Sequence, residues 1–362
     1  MRRALEIEVP GKVVHVVGNL TDEVFSFLGP AAQAVARSGR EQAVVMIDQS
    51  RYRHHLARLH ESAELALVPS ERNPFKQWTA LHQACCTQFA RGPLHAVHFH
   101  GLMPALVGSQ AVRAVPGARN APVFFSPHGS ISLGSSLGGL GRLLRTVVGS
   151  ARGSAIVNQP QESRQFEDWP SSELVESPVA ELFFELVRKE ARHPLIVTGG
   201  RSQSPRSAEL LAQLAVLLSG TDLRISFNWI GDVDEVSRVR LNAAGVSVFD
   251  VDGDAECAAR LAPGWVYLAP VAARGFPLFL AEAMAAGLPC VVFDCGPHRE
   301  LISEGESGFL CTTERQMIER IAALIDDAAL RQRLGRAAQA AAKARFGESQ
   351  FGTKLLAAYA LE

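Results

Sequence analysis

The chain has 362 residues, which is enough for about two domains of ordinary size, each with its own core. Hydrophobic residues make up 47% and charged residues 20%, a balance typical of a globular protein. The formal net charge of -1 excludes the basic excess that general nucleic-acid binding requires, so we expect no nucleic-acid partner.

The amino-terminal residues MRRALEIEVPGK carry Glu6 and Glu8 where a signal peptide needs an apolar segment. No later segment reaches the roughly 18 uncharged apolar residues of a membrane span, so we expect a cytoplasmic protein. The six cysteines have the spacing of neither a disulfide framework nor a zinc site, and we expect Cys290, Cys295 and Cys311 to be small buried residues.

Short β-branched runs alternate with amphipathic stretches along the whole chain, as in parallel sheets covered by helices. The expected strands of the first half are KVVHVV, QAVVMI, AELALV, HAVHFH, PVFFS and SAIVN; a second series has PLIVT, RISFNWI, VSVFD, WVYLAP and PCVVF. The two series predict an α/β protein with two Rossmann-like, doubly wound domains that face each other across a cleft. Ligands of such sheets bind beyond the carboxyl ends of the strands.

A stretch rich in proline and charge, WPSSELVESPVAELFFELVRKEARHP, separates the two series and is typical of a linker, with a boundary near residues 176–192. We predict an N-terminal domain over residues 1–180 and a C-terminal domain over residues 190–345. Residues 346–362 form an amphipathic helix that we expect to cross back to the first domain. After PCVVF we expect helices without further strands.

A helix over residues 207–218 is predicted to cover a sheet with one apolar stripe. The stripe consists of Leu210, Leu211, Leu214, Leu217 and Leu218.

Gly18 and Asn19 end the first strand, just before a helix expected near Asp22. A dinucleotide oxidoreductase needs GxGxxG at this place, and only one glycine of that pattern is present, which argues against NAD. Gly18 and Asn19 are candidates for ligand contact, and a plain helix cap is the alternative.

Histidines follow or end two strands of the first half. His98 and His100 share a strand face with the spacing of two residues, and His128 follows the next strand. Together with His95, the first two histidines suggest a metal site. No carboxylate accompanies them, and we expect no metal there.

The second half contains the stretch RGFPLFLAEAMAAGLP, in which Glu282 is alone in an apolar helical run expected to start near Phe276. A buried carboxylate is costly unless a partner satisfies it. The preceding Gly275 and the helix start offer backbone N–H groups to a phosphate or sugar hydroxyl, and Glu282 is about two turns into the helix, where it could accept hydrogen bonds from a diol such as a ribose. A carboxylate satisfied by a neighbouring helix explains Glu282 equally well.

The longer run RGFPLFLAEAMAAGLPCVVFDCGPHRELISEGESGFL resembles the donor-site segment of glycosyltransferase family 4, whose members are retaining enzymes of the GT-B fold. The resemblance implies that Glu282 holds the nucleotide ribose and that residues 275–278, Gly275, Phe276, Pro277 and Leu278, contribute to substrate binding. Arg274 stands where that family has a glutamate contacting the donor sugar. This charge reversal predicts a donor with an acidic group, or an Arg274 that pairs elsewhere.

A second stretch, TGGRSQSPRS, resembles the start of the C-terminal domain in the same family. The resemblance implies that Arg201 and Arg206 clamp the donor diphosphate, where guanidinium groups can bind phosphate oxygens bidentately. It also implies that His128 contacts the donor sugar and that Gly18 and Asn19 lie near the donor phosphates or the acceptor. Ordinary surface arginines on a solvated loop are the alternative for the clamp.

The resemblance therefore implies a retaining glycosyltransferase that moves a sugar from a nucleotide-sugar donor to a hydroxyl of a glycan or lipid-linked glycan, in cell-surface polysaccharide biosynthesis. His128, Arg201, Arg206 and Glu282 are the expected catalytic residues, and neither a cofactor nor an essential metal is expected. Two alternatives stay open: a non-catalytic GT-B protein that binds a nucleotide sugar or a partner, which Arg274 favours, and a nucleotide-sugar epimerase.

The basic stretch DQSRYRHHLARLH over residues 48–60 suits anionic lipid headgroups or a phosphorylated acceptor. Peripheral contact with the cytoplasmic face of the inner membrane is therefore an alternative to a free cytoplasmic protein. A solvated helix face explains the stretch equally well.

Overall fold

The computed structural model of the chain describes residues 11–18, 22–50, 53, 56, 59–128, 153–158, 163, 166, 169, 171–199, 205–219, 224–251, 253–273 and 276–361. These residues divide into two compact units. The first comprises Met1–Pro178 together with Ser349–Glu362, and the second comprises Val179–Glu348.

The first unit is built on a seven-stranded sheet in the order β3-β2-β1-β4-β5-β6-β7, and all its paired strands are parallel. The strands are β1 (Lys12–Val17), β2 (Gln42–Ile47), β3 (Ala63–Val68), β4 (Leu94–His100), β5 (Val123–Ser126), β6 (Ser154–Val157) and β7 (Ser172–Leu174). Every residue of β1 and β2 is buried, which is why these strands are almost continuously apolar rather than alternating.

Helices cover both faces of this sheet. They are α1 (Asp22–Arg37), α2 (Pro74–Phe89), α3 (Leu102–Ala114) and, from the end of the chain, α12 (Glu348–Ala358). On one face α2 and α3 pack against residues such as Val14, Val97 and Phe125. On the other face α1 and α12 bring Phe27 and Phe351 together in a second core cluster.

The second unit has a six-stranded sheet in the order β10-β9-β8-β11-β12-β13, again with parallel pairs throughout. Its strands are β8 (Leu195–Gly199), β9 (Ser226–Ile230), β10 (Val246–Phe249), β11 (Val266–Ala269), β12 (Cys290–Phe293) and β13 (Gly308–Cys311). The helices are α4 (Glu181–Phe184), α5 (Pro205–Ser219), α6 (Glu235–Ala243), α7 (Asp254–Leu261), α8 (Leu278–Ala285), α9 (Gly296–Arg299), α10 (Glu314–Asp326) and α11 (Ala328–Phe346).

Two core clusters lie on opposite faces of the second sheet. One joins α4, α7, α8 and α11 to residues such as Val197 and Val292, and the other joins α5, α6 and α10 to residues such as Ile196 and Val291. Neighbouring residues of one strand thus face different helices, as the two-residue period of a strand requires. The predicted α/β fold class with two doubly wound sheets is confirmed.

Several expectations about individual elements were wrong. The stretch interpreted as a linker contains the edge strand β7, and Val179, Phe183 and Phe184 from it are buried in the second unit's core. The chain after PCVVF contains one more strand, β13, which pairs with β12. Both missed strands are short and lie at sheet edges, so they carry little of the β-branched pattern on which strand prediction depends.

Two helix details also differ from expectation. Leu217 does not belong to the buried stripe of α5, because its side chain is 57% exposed. The helix expected near Phe276 begins at Leu278, with Pro277 at its amino-terminal cap.

Within the part of the chain that the structure describes, no helix combines the length and apolarity needed to cross a membrane. All six cysteines lie in that part and none forms a disulfide; Cys290 and Cys311 are buried, and Cys295 is partly exposed.

Candidate functional site

The carboxyl ends of parallel strands lie along one edge of a sheet. Ligands of such sheets bind beyond this edge, at the switch point where the strand order reverses. In the first unit this point lies between β1 and β4, and in the second between β8 and β11. The loops after these four strands are therefore the places at which to examine the candidate residues.

Gly18 directly follows β1 and is buried against the start of α3. A Cβ atom at this position would lie 2.9 Å from side-chain atoms of Pro104 and 3.3 Å from Met103, so glycine lets α3 approach the end of the strand. Its proposed ligand contact stays a prediction. Asn19 lies outside the described residues.

Four histidines on or just after three neighbouring strands converge beneath α1 and α12. His15 lies on β1, His98 and His100 lie on β4, and His128 follows β5. Register explains the convergence, since His15 pairs with His98 across the sheet and His100 pairs with Ser126 near the end of β5. The rings of His98 and His100 stack at 4.2 Å, and those of His100 and His128 at 5.0 Å.

Hydrogen bonds connect three of these rings in series. His15 Nδ1 lies 2.9 Å from His100 Nε2, and His100 Nδ1 lies 2.7 Å from His128 Nε2. The outer ring nitrogens, His15 Nε2 and His128 Nδ1, are buried and have no hydrogen-bond partner among the described residues.

The hydrogen-bond partners of His98 determine which of its two ring nitrogens carries the proton. The hydroxyl of Ser126 donates its proton to the carbonyl of Ile156 at 2.7 Å, so Ser126 Oγ must accept from His98 Nε2 at 2.8 Å. His98 Nδ1 is then the acceptor for the hydroxyl of Tyr359 at 2.6 Å. The residue that completes this network comes from the last turn of the chain, just beyond α12.

Burial keeps all four imidazoles neutral, because a charged ring would lose its hydration in the core. It lowers the pKa of His15 to about 4 and that of His128 to about 3. The pKa values of His98 and His100 fall well below the usual range, first through burial and then through the neighbouring histidines.

Three of the histidines lie close enough together to be considered as ligands of a metal ion. One ring nitrogen each from His15, His98 and His100 lies within 4.8 Å of the others, whereas His95, grouped with the β4 histidines from sequence, binds the carbonyl oxygen of Tyr359 instead. Both ring nitrogens of His98 are already in hydrogen bonds. A metal ion at this place would have to displace Tyr359 or Ser126 from that ring.

The backbone of His128 is strained in a way that suggests function. Its φ of 48° lies in the left-handed region, which residues other than glycine seldom adopt and which is enriched at ligand sites. The conformation turns the chain sharply at the end of β5, where the ring of His128 packs against Phe27 at 5.4 Å.

In the second unit, Glu282 lies on α8, the helix that follows β11. It is only 4% exposed, and every residue of α8 from Phe279 to Ala285 is buried. The thiol of Cys257 on α7 contacts its Oε2 atom at 4.0 Å. Glu282 also contributes to raising the pKa of the buried Tyr267 hydroxyl, an effect that comes mainly from burial. A carboxylate thus stands in an apolar layer directly behind the switch point.

Three further candidate site residues, Phe276, Pro277 and Leu278, lie at or just before the start of α8. Phe276 packs on Phe346 with ring centroids 5.4 Å apart, and its carbonyl accepts the N–H of Leu278 at 2.9 Å. Pro277 forms the cap and has no N–H to donate. Arg274 and Gly275 lie outside the described residues.

The last residue of β8 must be a glycine. Gly199 has φ of 145°, and a Cβ atom there would lie 1.9 Å from the carbonyl oxygen of Ile230. Arg201 lies outside the described residues. Arg206, the second residue of α5, is exposed and pairs with Glu209 one turn further on at 3.0 Å.

Because α5 follows β8 and α8 follows β11, Arg206 and Glu282 belong to helices that start beyond two neighbouring strands. In the first unit the structure brings His128 together with His98 and His100, which the sequence analysis had also singled out.

In the basic stretch of residues 48–60, Arg53 is paired with Asp48. Four other basic residues of the stretch, Arg51, His54, His55 and Arg58, lie outside the described residues.

Sequence reasoning missed His15, Ser126 and Tyr359. The sequence did carry a signal for His15, because a histidine between two valine pairs in KVVHVV is expected to be buried and to need a hydrogen-bond partner. Tyr359 carried no local signal, since its partner His98 lies 261 residues away.

Comparison with known proteins adds family information. Residues 183–327 match the family described as Glycosyl transferases group 1. An uncharacterized glycosyltransferase of Haemophilus influenzae is 42% identical over 62 residues, a match that covers only 17% of this chain and 17% of that relative.

Two solved structures have the same fold over nearly their whole length. A glycosyltransferase from Rickettsia africae aligns with a TM-score of 0.77 at 13% identity, covering 97% of this chain and 98% of that one. Anabaena Alr3699/HepE in complex with UDP and glucose aligns with a TM-score of 0.76 at 14% identity, covering 97% and 99%. The chain therefore has the α/β fold of the GT-B glycosyltransferases.

Proposed function

We propose, from the glycosyl transferases group 1 domain of residues 183–327 and the GT-B fold of the chain, that this protein is a glycosyltransferase using a nucleotide-sugar donor. The proposed reaction transfers the sugar, with retention of its anomeric configuration, to a hydroxyl of a glycan or lipid-linked glycan. A role in cell-surface polysaccharide synthesis is part of the same proposal.

One observation carries the proposal: the matched domain contains the switch point of the second sheet, and a buried carboxylate stands behind it. Glu282 lies on α8, the helix that follows β11, and ligands of such sheets bind beyond the carboxyl ends of the strands at the switch point. The Anabaena relative was solved with UDP and glucose, which supports a nucleotide sugar as the class of donor.

The proposed roles follow from the chemistry of each side chain. Glu282 accepts hydrogen bonds from the ribose hydroxyls, and Arg206, with Arg201, neutralises the departing diphosphate. Gly275, Phe276, Pro277 and Leu278 contribute to binding of the donor. His128 contacts the donor sugar, and Gly18 and Asn19 lie near the donor phosphates or the acceptor. No cofactor or metal is assigned to the reaction.

Arg274 favours a second candidate function, that of a GT-B protein that binds a nucleotide sugar without transferring it. A guanidinium can only donate hydrogen bonds, so it cannot replace a glutamate that accepts them from sugar hydroxyls. It can pair with the carboxylate of a uronic acid. An acidic donor sugar therefore reconciles Arg274 with catalysis.

The first experiment is a calorimetric binding panel of UDP-, GDP- and dTDP-sugars that includes a UDP-hexuronic acid and the matching UDP-hexose. We expect binding of at least one nucleotide sugar, with the acidic one preferred and the preference reduced in Arg274→Glu. Binding followed by transfer to a glycan supports the enzyme, and release of an isomerised sugar without acceptor supports an epimerase. Failure to bind any of them contradicts the proposal.

The clamp is tested by Arg206→Ala. We expect turnover to fall about a hundredfold, because removal of one preorganised charge at a leaving group costs that much, while the thermal midpoint hardly moves for an exposed side chain. The matched control is Arg315→Ala, which removes an exposed arginine with its own partner, Glu319, on α10. Equal turnover in both variants contradicts the clamp.

A further inference from the structure

Strand β3 ends the sheet of the first unit, and its outer edge carries backbone groups that no described strand meets. Within the part of the chain that the structure describes, β3 pairs only with β2. The N–H of Asp48 donates to the carbonyl of Val68, so the backbone of Val68 and of every second residue before it points towards β2. The N–H and C=O groups of Leu65 and Leu67 therefore point outward, away from the sheet.

A groove of about 470 Å³ runs along this free edge. Every residue from Glu64 to Pro69 lines it, and Ala80 and Ala84 of α2 belong to the opposite wall. Because consecutive residues of a strand point to opposite faces, only the backbone edge itself brings all of them to one groove. The small side chains of Ala66, Ala80 and Ala84 leave room beside that edge for an added strand.

The sequence of β3, AELALV, lacks the features by which proteins usually keep a free edge from pairing. Such edges carry lysine, proline or a β-bulge, whereas β3 has none of these and runs in unbroken register with β2. The side chains of Leu65 and Leu67 are 40% and 43% exposed on one face. On the other face the single charged residue, Glu64, is paired with Arg91 and accepts from Gln88 at 2.9 Å.

The pattern of β3 is complementary to itself. If two copies meet antiparallel about a two-fold axis through Ala66, Leu65 of each copy lies opposite Leu67 of the other, and all four leucines share one face. Both leucines have outward backbone groups, so each of these opposed pairs exchanges two hydrogen bonds. Glu64 then lies opposite Val68, so no like charges are opposed on the other face.

The neighbouring elements leave space for this pairing. Helix α2 packs across β1, β2 and β3 and is therefore centred over β2. Three strand spacings separate the two copies of β2, roughly 14 Å, which exceeds the distance of about 8–10 Å at which helices pack. The switch point between β1 and β4 lies two strands away from β3, so the added strand does not cover it.

We propose that the occupant of this edge is a second copy of the chain, and that two first units join through β3 into one continuous sheet with two-fold symmetry. The half-exposed leucines of both copies pack together in this dimer. Both free edges are used up at the same time, so the assembly closes at two copies. The dimer does not depend on the proposed function.

Sedimentation velocity of the full chain over a range of concentrations tests the proposal, and we expect a reversible equilibrium between one and two chains. Leu65→Lys and Leu67→Lys should each raise the dissociation constant at least about tenfold, because symmetry places the new charge at two points of an apolar contact. Leu217→Lys changes another exposed leucine, in the second unit, and should leave the constant unchanged. Far-UV circular dichroism checks that each variant is folded.

A cross-link tests the register without weakening the contact. In the proposed dimer Ala66 lies opposite its own copy in a pair without hydrogen bonds, with Cα atoms about 4.5 Å apart, a distance that a disulfide can span. We expect Ala66→Cys to form a covalent dimer under mild oxidation. The wild type, with its six native cysteines, and Val216→Cys, at an exposed position in the second unit, should stay as single chains.

The mass of a single chain at every concentration overturns the proposal and leaves this edge to a strand of a different protein. A dimer that persists in both lysine variants and is not cross-linked through position 66 also overturns it, because the contact then lies elsewhere. Loss of the dimer in the lysine variants, together with the cross-link, supports the pairing through β3.

Discussion

Two kinds of buried polar side chain dominate the candidate sites. In the first unit they are neutral histidines in a hydrogen-bonded cluster, and in the second a carboxylate lies within an apolar helix. Histidines can be buried cheaply because they lose their charge, whereas a carboxylate must either lose its charge or bind donors. The two kinds therefore respond differently to pH and to substitution.

Glu282→Gln is expected to weaken the binding of UDP, or of whichever nucleotide the panel selects, by about tenfold or more. The amide keeps the shape of the side chain but loses the charged acceptor for the ribose hydroxyls. Titration calorimetry measures the affinity, and Glu319→Gln on α10 is the exposed control. Unchanged affinity together with a much lower thermal midpoint would identify Glu282 as a structural carboxylate.

The histidines make the first unit less stable in acid. Their pKa is near 6.5 when unfolded and about 4 for His15 and about 3 for His128 when folded, so below pH 6.5 the unfolded chain binds more protons. Stability is therefore complete above about pH 6.5 and falls as the pH drops towards 4, by up to about 1.4 kcal/mol per pH unit for each histidine.

Urea unfolding between pH 7 and 5 measures this slope. His128→Asn should make the slope shallower, because one titrating group is removed, and His193→Gln should leave it unchanged since that residue is exposed. A free energy of unfolding that does not depend on pH over this range would contradict the neutral buried cluster.

At the scale of elements, the buried guanidinium of Arg331 links α11 to several other segments of the second unit. Arg331 donates to both oxygens of Glu190 at 3.0 and 2.9 Å and to the carbonyl of Leu324 at 2.6 Å. Its guanidinium also lies 4.0 Å over the ring of Trp265. One side chain thus joins α11 to the end of α10, to the segment before β8 and to the residue that precedes β11.

Arg331→Ala is expected to lower the free energy of unfolding by about 2 kcal/mol, because it breaks the ion pair of a buried arginine with the partly exposed Glu190 and exposes the face of Trp265. Urea denaturation measures the loss. The control Arg315→Ala, whose side chain is 89% exposed, should change stability by no more than about 0.5 kcal/mol. Similar small effects in both variants would show that Arg331 adds nothing to the packing of α11.

At the scale of the molecule, the first unit is discontinuous in sequence. Its core contains Phe351, Leu355 and Tyr359 from the end of the chain, which pack with Phe27 and Phe124. The hydroxyl of Tyr359 also completes the hydrogen bonds of His98. The first unit therefore cannot complete its core until the second unit has been synthesised.

Deletion of residues 349–362 is expected to remove hydrogen-exchange protection from β1 and β4 while leaving β8 and β11 protected, since those residues belong to the first unit alone. Lys354→Ala, an exposed change on α12, should leave both sheets protected. Equal loss of protection in the two sheets would contradict the division of the chain into these units.

The sequence determined the fold class of this protein, because eleven of its strands are short apolar runs whose period is visible locally. The same local character revealed Glu282, since a single carboxylate in LFLAEAMA stands out against its neighbours. The two-residue spacing of His98 and His100 also predicted that they share one face of a strand. The edge strands β7 and β13 lacked this local signal and were missed.

Only the tertiary structure decided what these residues touch. His15 meets His100 because β1 and β4 are neighbours in the sheet, although 85 residues separate them, and Tyr359 reaches His98 only because α12 packs on the first unit. Hydrogen bonds between distant residues depend on strand order and register, which are set by the burial of whole faces rather than by any short pattern. For that reason the sequence could single out His98, His100 and His128, whereas the hydrogen bonds that join this group to His15 and Tyr359 are seen only in its arrangement in space.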